Sequence, residues 1–370
     1  MKIVFLYSSL AVWGGVERIL VDKMNYLVCQ YGYDVYMITS DQGLHKIPYN
    51  LDGRVHFIDL NIQFDSRFRY NFLYRQWILY KLSRLYKKQL NNIMKSIQPE
   101  ILVCTSAQNV RTLLKLKGKI PLVVESHINF MHSDTFVQRL LMRWNNFWIG
   151  KTDALVTLTE GDAKNWRRIM KDVHVIPNIV HLNTYSRFSL GSEKRVLFVG
   201  RFTEQKGIGE LFSIWKSVNR KFPDWHLVLY GDGELWDYYK QEAERLNINI
   251  ELHKPTKEIF EAYCNSSILV LTSLYEPFGL VIPEAMSCGL PVVSYDSPYG
   301  PASIISDGVD GFVVPLHNQW VFVDRLCRLI SDEYLRREMG RQAIQSSQRF
   351  SADKIMPMWK QIYEQLALHH

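Results

Sequence analysis

The sequence predicts an α/β protein with two doubly wound domains of parallel strands, and three observations predict it. The chain has 370 residues, enough for two domains that each bury a core. Short apolar runs alternate with helical patterns from end to end, which is typical of parallel sheets covered by crossover helices. The pattern breaks once, at a polar segment, and then restarts. A single small module is therefore excluded.

Twelve short runs rich in β-branched residues are predicted to form the strands. In the first half they are KIVFLYSS, YDVYMITS, VHFIDL, EILVCTS, PLVVESH and ALVTLTE. A further segment, VHVIPN, closes that half. In the second half they are RVLFVGR, WHLVLYGDG, INIELH, SILVLTS, LPVVSYD and GFVVP. Residues 1–180 are expected to form one domain and residues 195–351 the other, joined by the polar segment 181–194. Residues 352–370 have helical spacing and are a candidate for packing back on the first domain.

Composition indicates a soluble, intracellular chain. No apolar run approaches the ~18 to 20 residues needed to span a bilayer, and the opening residues lack a signal-peptide cleavage site. The five cysteines are odd in number, far apart and without a CxxC pair, so neither a disulfide framework nor a zinc site is indicated. No Asp-x-Asp pair stands at a predicted strand end. We expect a cytoplasmic protein without a metal or cofactor.

The net charge of +7 is unevenly spread. Residues 1–185 carry 24 basic against 14 acidic side chains, whereas the remainder carries 20 against 23. The most basic stretch, residues 67–88, interleaves cations with aromatic rings. On a helix, Lys81, Arg84 and Lys88 would share one face, and Ile78, Leu82 and Leu85 would share an apolar one. Its interleaved aromatics include Phe72, Trp77, Tyr80 and Tyr86.

Three interpretations of this basic stretch stay open. It is an ordinary amphipathic helix with a solvated face, it docks on anionic lipid at the inner face of the cell membrane, or it binds an acidic polysaccharide acceptor. Nucleic acid is not an expected partner, because the chain also contains the carboxylate pattern described below.

Ligands of open parallel sheets bind outside the carboxyl ends of the strands, so residues after each strand are the candidates. Gly14 and Gly15 precede a helix whose free N–H groups favour phosphate, although such a pair is often only a turn. Arg201 and Lys206, in one loop, could clamp a diphosphate or be solvated cations. Tight-turn geometry alone would explain Gly231 and its neighbour Gly233.

The sharpest pattern is SLYEPFGLVIPEAMSCGLPVV, residues 273–293, in which Glu276 and Glu284 are separated by seven residues. Residues 277–279 are expected to form a turn, and Pro283 to occupy the first position of a helix. An ionised carboxylate can accept two hydrogen bonds from a vicinal diol, so two of them indicate recognition of a hydroxyl-rich ligand. The alternative is that both merely cap a helix or pair with nearby arginines.

This block resembles the Glu-x7-Glu motif of retaining glycosyltransferases of family four. The resemblance covers nearly the whole chain in order: GGVER, ESHIN, TLTEGD, VIPNIV, VGRFTEQKG, YGDGE, EPFGLVIPEAMSCGLPVV and YGPASIISDGVDGFVVP. It implies the GT-B fold, in which two Rossmann-like doubly wound domains face a central cleft. It departs from the family pattern at Asn178–His181, where a glycine and a carboxylate are missing, and at Ser303, a position that is often glutamate.

The resemblance also implies roles for individual residues. Arg201 and Lys206 would hold the donor diphosphate, with Gly14 and Gly15 approaching it from the other domain. Glu284 would bind the ribose. The transferred sugar would contact Glu276 and the turn at Phe278, Gly279 and Leu280, with His127 near its reacting face. Gly231 and Lys254, at two further strand ends, complete the predicted donor-binding residues.

The implied activity is metal-independent, retaining transfer of a hexose or N-acetylhexosamine from a nucleotide sugar to a sugar acceptor. A UDP-sugar is the favoured donor, and a GDP-sugar is the alternative. The acceptor would belong to lipopolysaccharide, capsule or a lipid-linked oligosaccharide of a bacterium. A nucleotide-sugar epimerase of the same architecture is the first alternative, and a non-enzymatic, basic membrane-binding protein is the second.

Overall fold

The computed structural model describes residues 1–69, 71–127, 130, 136–184 and 187–369. The chain divides into two compact units, one of Met1–Ile179 with Ile355–His370 and the other of Val180–Lys354. The described residues of the predicted linker 181–194 belong to the second unit and carry no helix or strand.

The first unit is built on a seven-stranded parallel sheet. Its strands are β1 (Lys2–Tyr7), β2 (Asp34–Thr39), β3 (His56–Asp59), β4 (Ile101–Cys104), β5 (Leu122–Ser126), β6 (Ala154–Thr157) and β7 (Val173–Val175). They are ordered β3-β2-β1-β4-β5-β6-β7. The helices between them are α1 (Gly15–Gln30), a 3-10 helix (Phe64–Arg69), α2 (Phe72–Ile97), α3 (Ala107–Leu116), α4 (Phe136–Ile149) and α5 (Glu160–Trp166).

The second unit has a six-stranded parallel sheet. Its strands are β8 (Arg195–Val199), β9 (His226–Tyr230), β10 (Ile250–His253), β11 (Ile268–Leu271), β12 (Val292–Tyr295) and β13 (Gly311–Val314). They are ordered β10-β9-β8-β11-β12-β13. Its helices are α6 (Ile208–Asn219), α7 (Trp236–Leu246), α8 (Ile259–Cys264), α9 (Val281–Ser287), α10 (Pro301–Ile304), α11 (Gln319–Ser331) and α12 (Glu333–Ser347), with 3-10 turns at Glu204–Lys206 and Gln348–Phe350.

Every predicted strand is present, and the prediction of two parallel-sheet α/β domains is confirmed. The last helix, α13 (Ala352–His369), groups from Ile355 onward with the first unit, where Trp359 and Tyr363 are buried. In each sheet the second and third strands along the chain lie on one side of the first strand, and all later strands lie on its other side. The switch points therefore lie between β1 and β4 and between β8 and β11.

The basic stretch 67–88 was expected to lie on one helix, but the structure does not form a single helix there. Its first residues belong to the 3-10 helix Phe64–Arg69, and α2 begins at Phe72. Residue 70 of the stretch lies outside the described residues. The stretch therefore divides between two helical elements.

The predicted faces of α2 also need correction. Leu85, expected on the apolar face, is 42% exposed, whereas Tyr86, expected among the surface aromatics, is 4% exposed. Tyr86 shares its face with Leu90 and Met94, each four residues further on, and all three belong to the core against the sheet. Leu82, predicted on the apolar face, also packs against this core, so the buried face includes Leu82 and Tyr86 and leaves out Leu85.

Candidate functional site

The second unit places its candidate residues at the switch point of its sheet. The loop after β8 carries Arg201 and Lys206, and the loop after β11 carries Glu276. Because β8 and β11 are neighbours in the sheet, both loops leave the same carboxyl edge. The order of strands thus brings together residues that are 70 positions apart in the sequence.

Hydrogen bonds hold these two loops against each other. Thr272 donates through Oγ1 to the Lys206 carbonyl at 3.1 Å, and the Gln205 side chain donates to the Tyr275 carbonyl at 2.8 Å. Gly207, which directly follows Lys206, has φ +62°, and a Cβ there would lie 2.2 Å from the Thr272 carbonyl oxygen. Glycine is therefore required for the loops to approach this closely.

The side chains of Lys206 and Glu276 meet where the loops converge. Nζ of Lys206 lies 2.5 Å from Oε2 of Glu276, with side chains 15% and 11% exposed. Ser273 also reaches that carboxylate oxygen, at 3.4 Å. An ammonium group has three donors and a carboxylate several lone pairs, so both groups keep capacity for a ligand. Arg201 is exposed two residues beyond the end of β8.

The turn after Glu276 differs in detail from its prediction. α9 begins at Val281, with Leu280 as its N-cap, so Pro283 is the third residue of the helix and not the first. The helix starts earlier because the Ile282 N–H already bonds the Gly279 carbonyl at 2.9 Å. Proline is tolerated there because N–H groups of the first turn have no partner within the helix.

Two residues of that turn have structural reasons for their identity. Gly279 has φ +90°, a conformation that side chains disfavour. Phe278 is 3% exposed and packs edge-on against Phe350, with ring centroids 5.5 Å apart. Any contact of Phe278 with a ligand must therefore use its backbone.

Glu284 has a different environment from Glu276. Its side chain is buried in the first turn of α9 and accepts a hydrogen bond from the Tyr263 hydroxyl at 3.1 Å. One acid thus pairs with a cation and the other with a phenol. The two carboxylates, alike in the sequence pattern, are chemically distinct in the fold.

Gly231 and Lys254 lie at the ends of β9 and β10. A Cβ on Gly231 would lie 1.9 Å from the Gly200 carbonyl oxygen, so backbone packing alone requires glycine there. The Lys254 ammonium is 2.8 Å from Oδ1 of Asp232 and 3.8 Å from the centre of the Trp236 ring. Lys254 is 55% exposed in this arrangement.

In the first unit, the predicted glycine pair does open a helix. Gly14 is the N-cap of α1, and Gly15 is its first residue. The side chain of Glu17 folds back on this turn, and a Cβ on Gly14 would lie 2.1 Å from its Oε2. Tyr7 donates to Glu17 at 3.0 Å, and burial beside that carboxylate raises the pKa of Tyr7. An anion at this helix end must therefore share it with Glu17.

His127 follows β5 and lies in a buried network. Its Nε2 is 3.3 Å from Oε2 of Glu125, whose Oε1 is 2.7 Å from Nζ of Lys23. That ammonium also lies 3.5 Å from the centre of the Trp359 ring, on α13. Burial by itself would raise the pKa of Glu125, but Lys23 and His127 outweigh burial and lower it. Residues 128 and 129 of the ESHIN motif lie outside the described residues.

Sequence reasoning missed Lys23, Glu17, Thr272 and Tyr263. A signal was available for Lys23, because it lies four residues after Ile19 and four before Leu27, on the apolar stripe of α1. A lysine on such a stripe needs a buried partner. Among the described residues, no group of three or more His, Cys, Asp or Glu side chains could hold a metal ion. None of the described helices is long and apolar enough to cross a membrane.

Both halves of the chain match known families. Residues 13–184 match Glycosyltransferase Family 4, and residues 186–346 match Glycosyl transferases group 1.

Three relatives extend these matches. The amylovoran biosynthesis glycosyltransferase AmsD of Erwinia amylovora is 28% identical over 98% of this chain and 99% of its own length. An uncharacterized glycosyltransferase of Methanocaldococcus jannaschii is 31% identical over 70% of this chain and 72% of its own. An α-1,4-N-acetyl-D-galactosaminyltransferase of Campylobacter jejuni, named for a diphosphoundecaprenol-linked glycan, is 24% identical over 97% of both.

Two solved structures share the fold. S. aureus TarM, in complex with fondaparinux, α-GlcNAc-glycerol and UDP, has a TM-score of 0.81 at 17% identity and covers 98% of this chain and 100% of its own. Sucrose-phosphate synthase from Thermosynechococcus elongatus has a TM-score of 0.81 at 18% identity, with 100% of both chains covered. The chain belongs to the group 1 glycosyltransferases of GT-B fold, so the resemblance seen in the sequence is confirmed.

Proposed function

We propose that this glycosyltransferase transfers a hexose or N-acetylhexosamine from a nucleoside diphosphate sugar to a sugar acceptor in the assembly of a bacterial cell-surface glycan. UDP is favoured as the nucleotide, with GDP as the alternative. The UDP in the TarM structure supports the choice of nucleotide. The names of AmsD and the Campylobacter enzyme support a role in glycan assembly. Lipopolysaccharide, capsule and lipid-linked oligosaccharide are the acceptor classes.

The contact between Lys206 and Glu276 carries the proposal. A cation that suits a phosphate and a carboxylate that suits sugar hydroxyls lie 2.5 Å apart at the switch point of the second sheet. A diphosphate joined to a sugar offers these two chemistries side by side. The pair holds both side chains in position before the ligand arrives.

In the proposed retaining reaction, the acceptor oxygen bonds to the anomeric carbon on the face from which the diphosphate leaves. The bond from that carbon to the phosphate oxygen breaks, and the leaving phosphate takes the acceptor proton. Negative charge grows on the diphosphate, where Arg201 and Lys206 stabilise it. Gly14, Gly15 and His127 of the first unit remain proposed donor contacts. The step uses no metal ion or cofactor.

A thermal-shift screen of the nucleoside diphosphates tests the donor class first. UDP should raise the free energy of unfolding by about 2.7 kcal/mol at a hundredfold excess over its dissociation constant, and GDP at the same concentration should raise it less. Nucleotide release should then require a sugar acceptor, whereas an epimerase would need none. An inverted anomeric configuration in the product, measured by NMR, or loss of turnover with EDTA would contradict the mechanism.

Variants of the two glutamates separate their roles. Glu284→Gln should weaken binding of plain UDP, because the proposed ribose contact is lost. Glu276→Gln should leave UDP affinity within about threefold and reduce transfer, since it removes a proposed sugar contact and frees Lys206 for phosphate. Tyr263→Phe is the matched control for disturbance around Glu284. Equal loss of UDP binding in both glutamate variants would contradict this assignment.

Peripheral association with the cytoplasmic face of the membrane is part of the proposal. Within stretch 67–88, Lys81 lies 3.5 Å from the centre of the Trp77 ring, and Arg84 lies 5.8 Å from that of Tyr80. Cations beside exposed aromatic rings suit the headgroup region of a bilayer that contains anionic lipid.

A further inference from the structure

Helix α4 in the first unit exposes an apolar stripe that sequence analysis did not single out. Its members are at least half exposed: Val137 66%, Leu140 59%, Leu141 58%, Trp144 50% and Phe147 53%. The other four lie three, four, seven and ten residues after Val137, and this spacing places all five on one face of the helix. The opposite face holds the helix in the unit, where Asn146 and Ile149 are buried. Exposed apolar patches of this kind mark interaction sites.

The surroundings of this stripe carry one sign of charge. α4 and its neighbour α3 contain Arg111, Lys115, Arg139 and Arg143 and no acidic residue. The Arg111 guanidinium lies 5.7 Å from the centre of the Trp144 ring. Two copies of such a face would repel each other, whereas an anionic surface would complement it. Charge therefore favours a membrane over a second copy of the chain.

A cavity of about 470 Å³ adjoins the C-terminal end of the stripe. Arg143, Lys151 and Phe147 contribute to its walls, and none of the described residues that line it is acidic. The Lys151 ammonium lies 4.7 Å from the centre of the Phe147 ring. Asn146 also lines the cavity and fixes the Phe130 backbone by a hydrogen bond to its carbonyl at 2.9 Å. The cavity thus offers two cations beside apolar walls, a combination that fits a phosphate joined to acyl chains.

We propose that α4 docks the protein on a bilayer containing anionic phospholipid. The stripe enters the boundary between headgroups and acyl chains, and Arg143 and Lys151 bind a headgroup phosphate in the cavity. This inference rests on the membrane association in the proposed function and deepens it by naming α4 as the surface that inserts, while stretch 67–88 stays at the level of the headgroups. It does not depend on the donor or the acceptor sugar.

Two tryptophans with similar exposure provide a matched test. Trp144 on α4 is 50% exposed, and Trp77 on α2 is 44% exposed. With vesicles of phosphatidylcholine and brominated phosphatidylglycerol, the full-length protein should show fluorescence quenching that Trp144→Phe largely removes and Trp77→Phe retains. The reverse result would leave membrane association standing and overturn the assignment to α4.

Vesicle flotation measures the same surface by affinity. Leu140→Ser combined with Leu141→Ser should lower partitioning onto phosphatidylglycerol vesicles at least tenfold. Arg143→Gln combined with Lys151→Gln should lower it roughly tenfold or more, since a charge near the surface contributes about fivefold. The control, Lys81→Gln with Arg84→Gln and Lys88→Gln, tests α2. A greater loss in the control, or equal binding to pure phosphatidylcholine, would overturn the proposal.

Two further measurements separate the remaining outcomes. If sedimentation without lipid shows a dimer that Leu140→Ser with Leu141→Ser dissolves, the stripe is a contact between copies and the proposal fails. The thermal shift with UDP should be unchanged in all α4 variants. A protein that binds vesicles through α4 but never responds to a nucleoside diphosphate would refute the proposed transferase reaction and leave this inference intact.

Discussion

The first unit pairs Lys23 with Glu125 on β5, the second pairs Lys206 with Glu276 in the loops after β8 and β11, and the two pairs differ in what surrounds them. Lys23 and Glu125 lie 2.7 Å apart and are each 2% exposed, and the Trp359 ring covers the Lys23 ammonium. Lys206 and Glu276 lie 2.5 Å apart but are 15% and 11% exposed. The closed pair can only position its neighbours, including His127. The partly open pair can exchange its partner for a ligand, which is what a donor site requires.

The largest expected effect is on the closed pair. Glu125→Gln leaves the Lys23 ammonium buried without a countercharge, so the free energy of unfolding should fall by about 3 to 5 kcal/mol. Glu276→Gln should cost much less, because Lys206 can turn toward water. Urea denaturation of both variants measures the difference.

A double variant sharpens this prediction. Lys23→Met with Glu125→Gln removes the buried charges together, and it should be more stable than Glu125→Gln alone. If the single and double variants lose the same stability, or if Glu276→Gln loses as much as Glu125→Gln, the distinction between a closed and an open pair is wrong.

The open pair could largely be predicted from sequence, and the closed pair could not. Lys206 and Glu276 each follow a predicted strand, so the rule for carboxyl ends of parallel strands selects both. Lys23 lies in the middle of a helix, and its partner Glu125 is on a strand more than 100 residues later. Only the packing of α1 and α13 on the first sheet brings them into contact with Trp359, and no local pattern encodes that packing.

The same limit explains the errors on α2. From Leu82 the apolar pattern continues either to Leu85, three residues on, or to Tyr86, four residues on, and only the packing against the sheet selects Tyr86. Strand positions were easier to predict, because a strand buried on both faces is a short apolar run whatever its neighbours are.

The next largest effect is on the open pair. Lys206→Ala should raise the activation free energy of transfer by about 2 to 4 kcal/mol, since it removes the charge that we propose stabilises the leaving diphosphate. Lys194→Ala is the matched control, because Lys194 is 58% exposed and pairs with Asp224. Steady-state kinetics with the identified donor measure both variants. Near-normal turnover in Lys206→Ala would place Lys206 among ordinary surface cations.

A smaller effect is expected at His127, on the edge of the closed pair. If the imidazole donates a hydrogen bond to the donor sugar or its leaving oxygen, His127→Ala should lower turnover per folded molecule. The activation free energy should then rise by about 1 to 3 kcal/mol. His127→Gln, which keeps a donor near Glu125, should recover part of that loss. If His127→Ala lowers the melting temperature but leaves turnover per folded molecule unchanged, the histidine is structural.

The smallest expected effect compares the paired Glu125 with Asp162, a carboxylate that is bound by neutral donors. Asp162 accepts from the Phe130 N–H at 2.7 Å and the Trp166 indole at 3.1 Å, yet burial raises its pKa from 3.8 to about 6. The folded state therefore binds this proton more tightly than the unfolded state, and the contribution of Asp162 to stability grows as pH falls from 6 to 4. The contribution of Glu125 to stability changes with pH in the opposite direction, because its lowered pKa makes that contribution disappear in acid. Urea denaturation between pH 4 and 7 measures the free energy of unfolding of the wild type and of Asp162→Asn. The difference in favour of the wild type should grow by about 1 to 2 kcal/mol as the pH falls from 7 to 4. A difference that stays constant with pH would mean that the two hydrogen bonds offset burial completely.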